Sequence, residues 1–124
     1  MSYMKLPHNH HSAVDHTELL KQLDDIQHFQ IVSEIFKQLS DPTRIRLFWL
    51  LCHCEECVLN ISAMMDMTSP AISHHLRALR NKGLVSSRRV GKEVYYKSSD
   101  TEQSILLHQM IEKVLMITCP EHKE

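Results

Sequence analysis

The chain has 124 residues, 43% of them hydrophobic, and its 14 basic and 15 acidic side chains give a formal net charge of −1, a composition that favours one globular domain with a modest core. It contains no run of about 18 apolar residues, which excludes a membrane span, and its polar, His-rich start lacks the apolar segment of a secretory signal peptide. We therefore expect a cytoplasmic protein whose four cysteines serve metal or redox chemistry rather than structural disulfides.

A long first helix is predicted over residues 17–38. Its apolar side chains recur at helical spacing, at Leu19, Leu20, Leu23, Ile26, Ile31, Ile35 and Leu39. Asp41 followed by Pro42 combines an N-cap residue with a proline at the first helical position. A second helix is therefore predicted over residues 42–51.

A helix-turn-helix is predicted in the middle of the chain. A short third helix, residues 58–65, leads into a tight turn at 66–68 and a fourth helix over 70–82. Ser69, which precedes a proline, is the expected N-cap of the fourth helix. Gly83 stands where the C-cap of that helix needs a residue with positive φ.

A β-hairpin and a last helix complete the predicted fold. Two β-like runs within residues 84–97 flank Gly91, which is typical of a hairpin turn. The apolar residues of the fifth helix, 100–117, recur at helical spacing, and Ser99 with Glu102 fits a capping box at its start. This order of elements predicts a mainly α winged helix-turn-helix with five helices and one small β-hairpin.

Positive charge is concentrated in one part of the chain. Residues 71–97 carry seven basic side chains and one acidic side chain, a net charge of +6, whereas the remainder carries −7. Such a block is typical of a face that binds nucleic-acid phosphates. On charge alone, a solvated basic surface explains it equally well.

The fourth helix and the hairpin carry the predicted DNA contacts. Small and polar side chains near the start of this helix let it approach the major groove closely, and the helix N-terminus attracts phosphate. The hairpin tip is placed to reach the minor groove or flanking phosphates. The expected DNA-binding residues are Ser69, Ser73, His74, His75, Arg77, Arg80, Arg88, Arg89 and Lys92.

Three thiols and one imidazole lie within residues 52–57 (CHCEEC). Thiolate sulfur and neutral imidazole are the ligands that Zn²⁺, Cd²⁺, Cu⁺ or As(III) prefer. We interpret Cys54, Cys57 and His53 as candidate metal ligands. Cys52 could instead end the second helix as a small buried residue.

Four stretches of the sequence resemble the ArsR/SmtB-type bacterial repressors: LSDPTRIRL at 39–47, SHHLRALR at 73–80, GLV at 83–85 and RRVGKEVYY at 88–96. The resemblance extends over residues 31–117. It implies a winged-helix homodimer whose first and last helices form the interface. It also implies repression at double-stranded operator DNA that an inducer, often a metal ion, relieves.

One metal motif of that family is only partly matched. The family pattern Glu-x-Cys-Val-Cys-Asp corresponds to residues 55–60, in which Cys57 matches while Leu59 and Asn60 replace the second cysteine and the aspartate. In related sensors an N-terminal arm reaches this site in the partner subunit. The His-rich residues 1–16 are therefore either a further source of ligands or a mobile tail.

The family's other metal site lies on the last helix and is not expected here in its usual form. Lys113 and Met116 stand where that site needs ligands. His108 and Glu112 are four residues apart on the same helix, so they share a face. They either meet a metal ion there or form a solvated ridge.

A redox alternative involves two distant cysteines. Some members of the family sense reactive sulfur through one cysteine near the second helix and another near the end of the last. Cys52 and Cys119 resemble that pair, although Cys52 lies about one helical turn later than the pattern requires. A thiol-based sensor of persulfide or oxidant is therefore the alternative to a metal sensor.

Three segments follow from this pattern: a flexible His-rich arm over residues 1–16, a winged helix-turn-helix domain over 17–118 and a tail over 119–124. The sequence predicts a DNA-binding repressor released by zinc or another thiophilic metal ion, which the fold itself does not require. A DNA-binding module without an inducer is a further alternative. An enzyme is not expected, because no Gly-rich phosphate loop, paired carboxylates or nucleophile–base spacing stands out.

Overall fold

The computed structural model describes residues 6–8 and 15–119. Six helices lie within them: α1 (His16–Leu23), α2 (Ile26–Gln38), α3 (Pro42–His53), α4 (Val58–Met65), α5 (Ser69–Asn81) and α6 (Glu102–Thr118). The strands are β1 (Glu56–Cys57), β2 (Val85–Val90) and β3 (Glu93–Ser98), and they form an antiparallel sheet in the order β1–β3–β2. The predicted winged helix-turn-helix is confirmed, with α4 and α5 as the helix-turn-helix and β2–β3 as the wing. No helix in the described part of the chain is long and apolar enough to span a bilayer.

The predicted first helix is in fact two helices. The chain leaves the helix at Asp24, which is the C-cap of α1, and α2 begins at Ile26. Aspartate side chains compete for nearby backbone N–H groups, so consecutive Asp24 and Asp25 interrupt a helix readily. The prediction of one helix over residues 17–38 is therefore wrong.

The predicted terminal segments are only partly described. Helix α1 already begins at His16, within the predicted arm. His10 and His11 of that arm lie outside the described residues, as do residues 120–124 of the predicted tail.

The chain divides into two compact units, residues 1–34 and 35–124. The core belongs to the second unit, and it joins α3, α4, α5, the start of β2 and α6. Burial of each large aliphatic side chain stabilises the fold by about 1.5–3 kcal/mol, so these elements form a firm support for the outer face of α5. The buried residues are Leu39, Leu47, Phe48, Leu51, Ile61, Met65, Ile72, Leu76, Leu79, Leu84, Val85 and Leu107.

Side-chain caps fix where three helices of this unit begin. Asp41 caps α3 as predicted, because its carboxylate accepts from the backbone N–H three residues later at 3.2 Å. Thr68, and not the predicted Ser69, caps α5. Thr101, and not the predicted Ser99, caps α6. Each threonine hydroxyl accepts from the third N–H beyond it, which is the geometry that starts a helix.

Two left-handed backbone positions shape the helix-turn-helix. Asp66 (φ 53°) ends α4, and aspartate is one of the few side chains that tolerate this conformation. Gly83 (φ 74°) follows α5 as predicted. The N–H groups of Gly83 and Leu84 donate at 3.0 Å to carbonyls of the last turn of α5, which is a Schellman motif.

The sheet contains one strand that was not predicted. Glu56 and Cys57 of β1 pair with Tyr96 and Tyr95 of β3. A two-residue strand has no alternation for a sequence pattern to reveal. Its consequence is that the thiol-rich segment lies directly beside the wing.

Candidate functional site

The outer face of α5 is basic and accessible. Ile72, Leu76 and Leu79 anchor the inner face in the core, and successive positions on a helix are turned by about 100°. His74, Arg77 and Arg80 are consequently exposed. Among the described residues, neither arginine is paired with a carboxylate. Both guanidinium groups are therefore available to an external anion.

His75 differs from its neighbour His74, because it is turned toward α3. The Nε–H of Arg44 donates to His75 Nδ1 at 3.2 Å, and the carboxylate of Asp41 lies 3.9 Å from the same nitrogen. Partial burial, followed by the positive charge of Arg44, lowers the pKa of His75. The imidazole is thus held neutral, and it connects α5 to the start of α3.

The two serines predicted to contact DNA have different settings. Ser69 Oγ lies 3.1 Å from Ser62 Oγ, so this hydroxyl joins α5 to α4 across the turn. Ser73 is half-buried, one position before the exposed His74. Ser73 therefore borders the exposed face of α5, whereas the hydroxyl of Ser69 is engaged with α4.

Arg88 of the wing is engaged within the protomer. Its Nε and Nη2 donate to the two carboxylate oxygens of Glu55 at 2.8 and 2.7 Å, and its guanidinium lies 5.8 Å from the Tyr95 ring centroid. Hydrogen bonds from Arg88 lower the pKa of Glu55, and the same bonds raise the pKa of Arg88. Arg89 and Lys92, on either side of the wing turn, are exposed. Around the wing turn, Arg89 and Lys92 are thus accessible, whereas Glu55 holds Arg88.

The four cysteines are free thiols. Cys54 Sγ donates to the Leu50 carbonyl at 3.5 Å, and burial raises its pKa. Cys57 is buried at the start of α4. Burial also raises the pKa of Cys52 to about 11, in spite of a hydrogen bond with Ser98 that lowers it. Neither Cys54 nor Cys57 joins His53 in a group with metal-ligand spacing among the residues described.

His53 instead lies beside two side chains of α6. His53 Nε2, His108 Nε2 and Glu112 Oε1 are each 3.2 Å from the other two atoms. Trp49 Nε1 donates to the same Oε1 at 2.7 Å, and this bond is the main cause that lowers the pKa of Glu112. We call His53, His108 and Glu112 together the His53–His108–Glu112 cluster. In residues 6–8 and 15–119, this is the group of three His, Cys, Asp or Glu side chains with metal-ligand spacing.

Sequence reasoning found only two of the three members of this cluster. The spacing of His108 and Glu112 indicated a shared helix face. His53 was assigned instead to the neighbouring cysteines. It lies 55 residues before His108, so no local pattern could connect the two.

The structure does not bring Cys52 and Cys119 together. His53, next to Cys52, contacts His108 in α6. Cys119 follows α6 and lies eleven residues beyond His108, about 16 Å farther along the helix axis. A disulfide requires Cα atoms within about 7 Å of each other, so a bond within one protomer would need displacement of the end of α6.

Known proteins share this fold and sequence pattern. The profile of the family described as "Bacterial regulatory protein, arsR family" matches residues 41–87. A transcriptional repressor SmtB homolog from Synechocystis sp. is 39% identical over 89 residues, covering 68% of this chain and 67% of that protein. A cadmium resistance transcriptional regulatory protein CadC homolog from Staphylococcus aureus is 35% identical over 86 residues, covering 68% of each.

A solved structure agrees with these relatives. The solution structure of the homodimeric winged helix-turn-helix DNA-binding domain of a possible ArsR-family transcriptional regulator from Mycobacterium bovis has a TM-score of 0.65 and 26% identity. It covers 91% of this chain and 98% of that one. The fold, its basic face and these relatives define the class of winged helix-turn-helix DNA-binding transcription regulators. The chain belongs to the arsR family and is an ArsR/SmtB-type regulator.

Proposed function

We propose that the protein is a homodimeric cytoplasmic repressor that binds double-stranded operator DNA and leaves it when a metal ion binds. The observation that carries this proposal is the set of exposed basic side chains on α5 and the wing. They are Arg77, Arg80, Arg89 and Lys92, and the exposed imidazole of His74 lies on the same face of α5 as Arg77.

The two elements have different tasks on DNA. Helix α5 reads base edges in the major groove, where an arginine makes a bidentate contact with guanine and a serine or histidine can donate to other edges. The wing binds phosphates beside it, which strengthens binding without selecting a sequence. His75 supports α5 from behind through Arg44, so it acts on DNA binding through the position of the helix.

The choice of inducer has support from a relative and from chemistry. The CadC homolog is named for cadmium resistance, and this chain carries thiols and imidazoles beside its wing. Cys54, Cys57 and His53 remain the hypothesis for a thiophilic ion. Because they are not grouped within the described protomer, such a site needs further donors from the N-terminal segment or a second chain.

A thiol sensor based on Cys52 and Cys119 has less support. The pKa of Cys52 near 11 leaves almost no thiolate at neutral pH, and Cys119 follows α6, eleven residues beyond the His108 that contacts His53. This alternative stays a prediction, and persulfide is therefore included in the test below.

Binding to duplexes selected from a random pool tests the proposal. By fluorescence anisotropy we expect Arg77→Ala to weaken binding to the selected duplex by about 1–3 kcal/mol and to relax its specificity. Lys92→Ala should weaken binding to all duplexes and reduce the salt slope by about one. Lys21→Ala, which removes an exposed lysine of α1, is the control for charge.

The same complex then reports the inducer. Zn²⁺, Cd²⁺ and persulfide are each added to the preformed complex, and a tenfold loss of affinity corresponds to about 1.4 kcal/mol of coupling. Wild-type protein that selects no sequence from the pool would overturn the DNA-binding proposal. Selective binding without release by either metal would overturn the metal-responsive part alone.

A further inference from the structure

We propose that His53, His108 and Glu112 bind one divalent metal ion of the zinc class and thereby join the end of α3 to α6. The ligand set is two imidazole nitrogens and one carboxylate oxygen, without sulfur. If this ion is the inducer that releases the protein from DNA, that role rests on the proposed function. The binding of the ion to the three side chains does not depend on the proposed function.

The geometry of the cluster fits such an ion. Zinc bonds nitrogen and carboxylate oxygen at about 2.0–2.2 Å, and two ligands of a tetrahedral ion with such bonds lie about 3.3–3.6 Å apart. The three donor atoms here form a triangle with sides of 3.2 Å. They therefore form nearly one face of the tetrahedron before any ion enters.

Hydrogen bonding alone does not satisfy this arrangement. Glu112 Oε1 as a carboxylate oxygen only accepts, so each imidazole must carry a proton on Nε2 to bond to it. The two Nε2–H groups then face each other at 3.2 Å, which is a contact between two donors. A single cation that replaces both protons converts all three contacts into favourable ones.

The surroundings support the cluster as a ligand set. The indole N–H of Trp49 holds Glu112 Oε1 at 2.7 Å, which is the kind of outer contact that orients a metal-binding carboxylate. The side chains of His53, His108 and Glu112 are 45%, 28% and 32% exposed. Solvent therefore reaches the site, and it can supply the fourth ligand.

The donor types select among metals. Imidazole with carboxylate suits Zn²⁺, Co²⁺ and Ni²⁺, whereas Cd²⁺, Cu⁺ and As(III) favour thiolates. The cluster thus predicts a metal preference different from that of Cys54 and Cys57. Because His53 is a candidate ligand in both sets, one protomer cannot use it for both at once, and the difference in preferred metal shows which set binds.

The position of the site connects it to the wing. His53 is the last residue of α3, and Glu55, two residues later, holds Arg88. Strand β1 then pairs with β3 of the wing. An ion that fixes His53 against α6 therefore restrains the chain segment that carries Glu55 and β1, both of which contact the wing.

The intrinsic fluorescence of Trp49 tests the proposal. It is the single tryptophan of the chain, and its ring centroid lies 4.4 Å from that of His53. Co²⁺ added to the full-length metal-free protein should quench Trp49 with a stoichiometry of one ion per protomer. Visible absorption should show d–d bands without an intense thiolate-to-cobalt band, and Zn²⁺ should displace the Co²⁺.

Variants assign the ligands. His53→Gln, His108→Gln and Glu112→Gln should each weaken Co²⁺ binding by more than the 10–100-fold that an outer contact contributes. Cys54→Ser with Cys57→Ser, His10→Gln with His11→Gln, and His28→Gln should leave it unchanged. Circular dichroism of each variant verifies the fold.

Two outcomes overturn the assignment. One is Co²⁺ binding that survives in His108→Gln and Glu112→Gln. The other is binding that is lost with the cysteine pair or the N-terminal histidine pair, which would place the ion there. Sequence-selective DNA binding is measured with the same metal-free preparations. Protein that binds DNA selectively but does not bind Co²⁺ at the cluster overturns the metal site alone and leaves the DNA-binding proposal intact.

Discussion

Arg88 is a wing residue whose charge is satisfied within its own protomer. Glu55 binds it with two hydrogen bonds, so in the free protein this cation is not available to phosphate. The pair is exposed on the arginine side, and exposed ion pairs are weak. DNA can therefore compete for Arg88, but it must displace Glu55.

We expect Glu55→Gln to strengthen DNA binding. The amide cannot hold Arg88 as a carboxylate does, so the guanidinium is free to neutralise one more phosphate. The affinity for all duplexes should rise severalfold, and the slope of log K against log salt should become steeper by about 0.9. Anisotropy titrations at several salt concentrations measure both quantities.

Glu93→Gln is the matched control, because it removes the same charge from the wing without releasing Arg88. Equal effects of the two variants would mean that net charge, rather than the Glu55–Arg88 contact, sets the affinity.

At the scale of the element, the N-cap of α5 determines how the DNA-facing helix begins. Thr68 Oγ1 accepts from the N–H of Ala71 at 3.3 Å. The helix begins directly after the turn that follows α4, in which Asp66 adopts the left-handed backbone conformation. This cap therefore fixes the first turn of α5, which comes directly before Ser73 and His74, two of the residues that we propose contact DNA.

We expect Thr68→Ala to lower the free energy of unfolding by about 1 kcal/mol. Urea unfolding at one fixed protein concentration measures the change, since oligomerisation alters apparent stability. Thr68→Ser keeps a capping hydroxyl and should be as stable as the wild type. Equal stability of Thr68→Ala and Thr68→Ser would contradict the cap.

At the scale of the whole molecule, α6 leaves apolar side chains uncovered in the single chain. Leu106, Met110 and Val114 are 58%, 40% and 50% exposed on this helix. Water contact with such a face is unfavourable, and a second copy of the chain would cover it. The homodimeric Mycobacterium bovis domain has the same fold, which supports this expectation.

We expect Leu106→Glu to convert the protein from dimer to monomer and to reduce DNA binding with it, because one protomer contacts only half an operator. Sedimentation velocity at micromolar concentration measures the assembly. Gln103→Glu introduces the same charge at a polar, exposed position of α6 and should leave the dimer intact. A wild-type protein that sediments as a monomer would contradict the prediction.

Local patterns in the sequence determined most of the fold. Ile72, Leu76 and Leu79 recur at the helical period, so they indicated α5 and its buried face, and Gly83 indicated where it ends. These signals are reliable because they depend on neighbours within a few residues, for which backbone geometry sets the spacing. The basic block over residues 71–97 indicated which elements carry the exposed basic side chains, and their contact with DNA stays a prediction.

Only the tertiary structure decided which chemistry-bearing side chains meet. His74 and His75 are adjacent in sequence, yet one faces solvent and the other contacts Arg44, because packing of α5 against α3 fixes the rotation of the helix. His53 lies among cysteines in sequence, yet it contacts His108 and Glu112. Such pairs are determined by how distant helices pack, and the free energy of that packing is not encoded in any short stretch of residues.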